Sequence, residues 1–245
     1  MEEDFYVSLV SNTCTQIFTN NRAVSFTNSL AKRIELLDHW EVALFEIHFS
    51  MILHNVYGKE SRILVKRGTQ IIKKCMVDQN RANDIYEVFD QLNENCAEEL
   101  VFEMLNGRVV ITPVKTGDSV RFSKPLAQQL GFPAEVDISE DQIVAPKEPD
   151  FNFGLPTTAH ITCDIIATQF VGNTLSPLLR IITLEQSRYT HGGSGMISFS
   201  RPIYVPVMVK DLHRISVDIR GPNGKHLPFI HGTSSVVLYF RKRST

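Results

Sequence analysis

Strict alternation of apolar and polar residues near both ends of the chain is the feature that most limits its possible folds. In the most regular stretch, Trp40, Val42 and Leu44 fall on one face of an extended segment. Glu41 and Phe45 fall on the opposite face. A period of two residues is that of a β-strand with one face buried, so this stretch is predicted to be a strand of a half-buried sheet.

The same alternation recurs along both terminal parts of the chain. It predicts further strands at 5–10, 34–37, 160–166, 179–184, 196–199, 203–209, 215–220 and 236–241. Asp38-His39 is a candidate for a tight connection between residues 34–37 and the strand that starts at Trp40. Strands of about six residues at regular spacing are typical of a β-sandwich or barrel.

The middle of the chain has a different pattern. Apolar residues at i, i+3, i+4 and i+7 within residues 85–92 predict a helix, with Asn83 as its N-cap. A second helix is predicted from Ser123 as cap to Gly131 as stop, with Pro125 in the first turn. Hairpins are predicted through Arg67-Gly68 and Asn106-Gly107.

These patterns predict a mainly β protein whose sandwich is formed by both ends of the chain. The predicted division is a sandwich domain from 1–56 and 146–245, with a small α+β insertion at 57–145. Residues 133–158 contain four prolines and little regular pattern, so they are expected to be a connecting segment.

Composition excludes several classes of protein. The chain of 245 residues has 25 basic and 27 acidic residues, and this balance argues against a general nucleic-acid binder. The basic run Arg241-Lys242-Arg243 is expected to be solvated charge on a frayed end. No apolar run is long enough for a membrane span, and the acidic start lacks the features of a signal peptide, so an intracellular protein is expected.

The cysteines are expected to be buried free thiols. Cys14, Cys75, Cys96 and Cys163 are far apart and form no C-x-x-C pair. That spacing argues against both a disulfide framework and a zinc site.

No pattern of a catalytic, cofactor or metal site is present. The chain lacks a nucleophile elbow, a P-loop, a zinc-protease helix and a dinucleotide fingerprint. Cys163 shares its strand face with Ile161 and Ile165, which favours an inert core thiol over a nucleophile. The eight histidines show no metal-ligand spacing: His39, His48, His54, His160, His191, His213, His226 and His231. We therefore predict no enzyme activity, no cofactor, no metal and no catalytic residue.

The carboxylates and aromatic residues have ordinary explanations. Glu41 and Glu46 are expected on opposite faces of one strand, and Glu98 and Glu99 at a strand edge, all as surface charge. Phe5, Tyr6, Trp40 and Phe45 lack interleaved Lys or Arg. Core packing is therefore favoured over a platform that stacks nucleic acid or sugar.

Four ordered blocks of sequence resemble one protein family. The first block runs from Phe5-Tyr6-Val7 through Asn20-Asn21 to Trp40-Glu41-Val42, and the second is Leu126-Ala127 with Leu130-Gly131-Phe132. The third block is Cys163-Asp164-Ile165-Ile166 with Val171-Gly172 and Pro177-Leu178-Leu179-Arg180. The fourth includes Tyr204-Val205-Pro206-Val207, Asp218-Ile219-Arg220, Pro228-Phe229, Gly232 and Phe240-Arg241. Together they are similar to the penton (minor capsid) proteins of Polinton/Maverick elements and adintoviruses. Asp38-His39 and Cys163 depart from the family pattern.

The resemblance implies a jelly-roll subunit that forms homopentamers at the vertices of an icosahedral capsid. It also implies contact with a double-jelly-roll major capsid protein and a location in the virion. The alternative is a β-sandwich binding module that recognises a host receptor, a glycan or another protein. Weaker candidates for interfaces are the Asn20-Asn21 turn, the segment from Pro146 to Pro156 and the loop from Gly192 to Gly195.

Overall fold

The secondary structure consists mainly of antiparallel strands. A computed structural model describes residues 4–50, 61–77, 85–150, 155–184, 194–229 and 232–243. The strands are β1 (Asp4–Val10), β2 (Ser25–Glu35), β3 (Trp40–Ser50), β4 (Arg62–Arg67), β5 (Gln70–Met76), β6 (Leu100–Leu105), β7 (Arg108–Pro113), β8 (Asp118–Phe122), β9 (Asp137–Ile138), β10 (Ile143–Val144), β11 (Thr158–Cys163), β12 (Gln169–Val171), β13 (Thr174–Ser176), β14 (Leu178–Thr183), β15 (Ser194–Ser198), β16 (Val205–Pro206), β17 (Asp211–Arg220) and β18 (Ser235–Lys242). The helices are α1 (Ile85–Cys96) and α2 (Lys124–Leu130).

The chain divides into two compact units. The first consists of Met1–Leu53 and Pro156–Thr245, and the second of His54–Leu155. The second unit is therefore an insertion between β3 and β11.

The first unit is a jelly roll. One sheet has the strand order β1-β18-β3-β15, with the short β16 also pairing to β3, and the other has the order β14-β11-β17-β2. Strands that are distant in sequence are thus neighbours in each sheet, and the eight long strands form the two-sheet arrangement of a jelly roll. The predicted mainly β jelly-roll sandwich with a small α+β insertion is confirmed.

The core of the first unit lies between its two sheets. Each strand turns alternate apolar side chains inward, and burying each large one stabilises the fold by roughly 1.5–3 kcal/mol. Fully buried members include Leu9, Phe26, Val42, Leu44, Ile47, Ile161, Ile215, Val236, Leu238 and Phe240. Phe5 stacks on Phe240 with ring centroids 4.8 Å apart and also contacts Trp40.

A β-bulge interrupts β3. The register with β18 pairs Leu44 with Leu238 and Glu46 with Val237, which leaves Phe45 as the extra residue. The bulge shifts the phase of the alternation, so Ile47 faces the core although it is three residues after Leu44. It also places Glu46 on the same outer face as Glu41, which corrects the expectation of opposite faces.

The connection at Asp38 does not close a hairpin. β2 pairs with β17 in one sheet, whereas β3 pairs with β18 in the other. The backbone of Asp38, with φ 68°, turns the chain from one sheet to the other. The connection is short, as predicted, but it joins strands of different sheets, which alternation along a strand could not reveal because it carries no information about a strand's partner.

The second unit has a core of its own. Two small sheets, β5-β4-β8-β9 and β10-β7-β6, contribute to it together with both helices. Val88, Phe89 and Leu92 form the buried face of α1, as the period predicted, whereas Asn83 lies outside the described residues. Helix α2 begins after Ser123 and ends at Gly131, also as predicted.

Both predicted hairpins of the second unit are present. β4 and β5 pair around Gly68, and β6 and β7 pair around Asn106-Gly107. Asn106 and Gly107 have φ values of 51° and 76°, which are the left-handed conformations that this two-residue turn requires.

Two of the cysteines form a disulfide, which corrects the expectation that all four are free. Cys75 on β5 and Cys96 at the end of α1 are joined, with their Cα atoms 5.9 Å apart. The spacing of 21 residues gave no signal because the bond depends on how α1 packs against β5. Cys163 is a buried free thiol, as expected, and Cys14 is free and half-buried.

The basic end of the chain is part of a sheet. Arg241 and Lys242 belong to β18 and pair with Glu41 and Asp38, so the expectation of a frayed basic end was wrong.

In the part of the chain that the structure describes, no helix is long and apolar enough to cross a bilayer.

Candidate interaction surfaces

Where the structure describes them, the residues considered for catalysis do not come together in a reactive centre. Burial raises the pKa of the Cys163 thiol to about 12, so the thiolate that a nucleophile needs is not populated near neutral pH. His48 contacts Glu46 and His226 contacts Asp218, while His54, His191 and His231 lie outside the described residues. Among the residues that are described, no three His, Cys, Asp or Glu side chains converge as metal ligands.

The carboxylates on the outer face of β3 are engaged in local contacts. Glu41 accepts a hydrogen bond from Arg241 Nε at 2.5 Å. Glu46 contacts His48 Nε2 at 2.6 Å and accepts a bond from Ser198 Oγ at 2.8 Å. The contact with His48, and to a smaller extent the hydrogen bond from Ser198, holds the pKa of Glu46 below its ordinary value. Both carboxylates therefore act as surface ion-pair partners.

An aromatic cluster covers the outer side of the β1-β18-β3-β15 sheet. It consists of Tyr6, Phe45, Tyr204 and Tyr239, and is termed the aromatic face. Tyr6 stacks on Tyr239 with centroids 4.6 Å apart and meets Phe45 edge-on at 5.1 Å. Tyr204 meets Tyr239 at 6.1 Å. Tyr6 is nevertheless 55% exposed and Phe45 is half-buried on the outer side, so core packing was the correct expectation for Phe5 and Trp40 but the wrong one for Tyr6 and Phe45.

Polar groups at the border of the aromatic face are paired within the face. The Tyr239 hydroxyl donates to Asp4 Oδ2 at 2.5 Å, and this bond raises the pKa of Tyr239 to about 12. The Arg241 guanidinium lies 3.4 Å from the centroid of Tyr204 while it also contacts Glu41. The polar groups at the border thus have partners within the face, and the surface between them is aromatic.

A short hairpin, termed the hairpin knob, presents a second apolar surface. It is formed by β12 and β13, in which Phe170 lies directly opposite Leu175. These side chains share one face of the hairpin and are 86% and 62% exposed. Sequence analysis missed the hairpin, although Gly172-Asn173 between two short apolar runs is a turn signal and Gly172 has φ 59°.

An open cleft lies at the end of the sandwich where β3 begins. It has a volume of about 660 Å³ and is lined by Leu37, Trp40, Met208 and Lys210, among others. An Arg33–Asp211 ion pair with a 2.7 Å contact lies in its wall, and the Arg33 guanidinium holds the pKa of Asp211 below its ordinary value.

The loops predicted as interfaces have mostly structural roles where they are described. The Asn21 side chain donates to the carbonyls of Thr13 and Thr27 and so braces its own turn. Asp150 N donates to Gln129 O at 2.8 Å, which ties the segment after Pro146 to α2. Gly195 is buried in β15 opposite Phe49, and Gly192-Gly193 lies outside the described residues.

Comparison with solved structures identifies the fold. No protein-family model and no curated protein matches the sequence. The crystal structure of selenomethionine-labelled mavirus penton protein superposes with a TM-score of 0.53 at 13% sequence identity, covering 99% of this chain and 100% of that chain. The chain has a penton-type fold. A chain in the cryo-EM structure of the Sputnik virophage also matches, with a TM-score of 0.47 at 8% identity over 99% of this chain and 98% of that chain.

Proposed function

We propose that this chain is a structural subunit of a virion: a penton, or minor capsid, protein that forms pentamers at the vertices of an icosahedral capsid. The observation that carries the proposal is the extent of the likeness to the mavirus penton protein. It includes the inserted second unit as well as the jelly roll, since 99% of this chain is covered. A generic sandwich would match over the first unit alone.

The ordered sequence blocks support a more specific relationship, to the penton proteins of Polinton/Maverick elements and adintoviruses. Several residues of those blocks have a definable role in this fold. Gly232 has φ 116°, and a Cβ there would lie 2.7 Å from Ser50 Cβ. Phe229 stacks on Phe49 at 6.4 Å. The blocks therefore include positions where the fold itself restricts the residue, so they consist of more than general strand vocabulary.

The proposed role requires assembly and no chemistry. A vertex subunit acts through contacts with its own copies and with a double-jelly-roll major capsid protein, so its partners are proteins and it needs no cofactor. The expected location is the virion, after synthesis inside the host cell. The proposed domains are a jelly roll from 1–56 and 146–245 and an insertion at 57–145.

The mass of the purified protein tests the proposal. Light scattering on a sizing column is expected to give a particle of five times 27.8 kDa. A chain that stays monomeric at the highest attainable concentration, and that does not add to shells of the major capsid protein, contradicts the proposal.

A second candidate function is that of a binding module for a receptor, glycan or protein. The cleft of about 660 Å³ favours it, because a cleft lined by apolar side chains and by charges of both signs suits a protein segment or another polar ligand. Binding of a host protein or glycan by a monomer, abolished by Met208→Asp, would favour this function over the vertex subunit.

A further inference from the structure

The two outer faces of the sandwich differ in chemistry. On the β14-β11-β17-β2 sheet the outward side chains are mostly hydroxyl-bearing or charged: Ser25, Thr27, Ser29, Thr158, His160, Thr183, Ser216, Asp218 and Arg220. Such a face is well solvated. The opposite sheet carries the aromatic face, and the exposed Met196 lies on β15, the strand next to β3 in that sheet. Contiguous apolar surface of this kind marks an interaction site.

The aromatic face and the hairpin knob match in polarity. At the border of the aromatic face, Glu41 forms an ion pair with Arg241, and the Asp4 carboxylate accepts a hydrogen bond from the Tyr239 hydroxyl. Residues 169–176, which form the knob, include no charged side chain. Contact between the two surfaces would therefore bury aromatic and aliphatic area while the charged groups at the border keep the partners that they have within one subunit.

Both surfaces lie at the same end of the sandwich. Ala167 N donates to Pro206 O at 3.1 Å, and Ile166 forms a bridge with Val207, just before the knob begins. Pro206 in turn pairs with Glu41 near the start of β3, two residues from Ala43, the register partner of Tyr239. In a closed ring the two contacting patches lie at the same height along the ring axis, and patches at one end of the sandwich can do so when that axis runs along the strands.

We infer that the hairpin knob of one copy packs on the aromatic face of the next copy, so that Phe170 and Leu175 of one subunit cover Tyr6 and Tyr239 of its neighbour. Such a contact joins two different surfaces, and repeated contacts of this kind close into a ring. The inference rests on the proposed function and specifies which surfaces form the pentamer.

The test uses positions whose side chains are mostly exposed in the folded subunit. Phe170→Ser and Tyr6→Ser each remove one side of the contact. Ile181→Ser is the matched control, because Ile181 is a 48% exposed apolar residue on the outer face of the other sheet. Thermal unfolding of the diluted subunits verifies that all three variants remain folded.

The expected result is a loss of assembly in the two test variants alone. Light scattering over a dilution series should show that Phe170→Ser and Tyr6→Ser each raise the concentration of half-assembly at least about tenfold, the effect of losing an interface anchor. Ile181→Ser should behave like the wild type. In the double variant, the concentration of half-assembly should rise by less than the product of the two single fold-changes, because both changes remove the same contact.

Other outcomes separate the inference from the proposed function. Wild-type pentamers that both test variants preserve overturn this interface and leave the proposed function standing. Variants that keep the pentamer but fail to add to major-capsid shells assign the aromatic face to that other partner, which also overturns the inference. A wild type that forms no pentamer, alone or on the shell, contradicts both.

Discussion

Gly131 meets two requirements that only glycine satisfies. It ends α2 in the left-handed region at φ 85°, and a Cβ on it would lie 2.2 Å from the carbonyl oxygen of Lys147. The close approach lets Lys147 N donate back to Gly131 O at 3.3 Å. A single residue thus ends a helix and fixes the segment that leads out of the second unit.

Gly131→Ala is therefore expected to lower the free energy of unfolding by about 2–4 kcal/mol, from left-handed strain plus the clash with Lys147. The matched control is Gly68→Ala, where φ is 60° but nothing lies within 4 Å of the added Cβ. Gly68→Ala should lower the free energy of unfolding by only about 1 kcal/mol. Urea denaturation of both variants measures the difference, and equal losses would show that the approach of Lys147 is unimportant.

The limits of sequence analysis are visible at Phe45. The alternation of Trp40, Val42 and Leu44 was predicted correctly, because burial of one face requires it. The bulge after Leu44 was not, because it depends on the register with β18, about 190 residues away. The outward position of Phe45 follows from the alternation itself, whereas the aromatic face was hidden from the sequence because it requires β1, β18 and β3 to be neighbours in one sheet.

At the scale of elements, the disulfide joins α1 to β5 in the second unit. Its two cysteines are 21 residues apart in sequence. A cross-link that closes a loop of this size restricts the unfolded chain, which adds about 3 kcal/mol to the free energy of unfolding. The double variant Cys75→Ala/Cys96→Ala, or treatment of the wild type with a reducing agent, is expected to remove that contribution.

Unfolding with and without reductant measures the effect. The reductant should destabilise the wild type and a Cys14→Ser control equally, and should have no effect on the double variant. A wild type whose stability does not change on reduction would contradict a stabilising role for the disulfide.

Elements with strong local signals were predicted well, and those defined by distant partners were not. The turn at Asn106-Gly107 and the apolar face of α1 are local, so the sequence was sufficient for both. The pairing of β2 with β17 and the Cys75–Cys96 bond are set by packing between distant segments. The hairpin knob was missed for another reason, since its strands have only three residues each.

At the scale of the whole molecule, the second unit is expected to fold on its own. Its core includes Ile63, Leu92, Leu100, Phe122 and Leu126, all fully buried. A fragment of residues 54–155 should therefore unfold cooperatively in denaturant. A fragment cut at the predicted boundaries, 57–145, should be less stable by roughly 2 kcal/mol, because it lacks the backbone bonds made by Lys147 and Asp150.

Circular dichroism during urea titration compares the two fragments. Equal stability would favour the boundaries predicted from sequence. A non-cooperative transition in both would show that the second unit depends on the jelly roll. The fold class was predictable at this scale because alternation limits a chain to a few architectures, whereas the assembly surfaces required the arrangement of strands in space.

The position of β18 between β1 and β3 has a consequence for biosynthesis. Both of these strands leave the ribosome long before β18, and they have no shared sheet until residues 235–242 emerge. The inserted unit, whose contacts are local, is free to fold during translation, whereas the sandwich closes only after β18 has emerged. Tyr239 arrives with that strand. A nascent chain that stops before β18 therefore lacks the surface proposed for assembly.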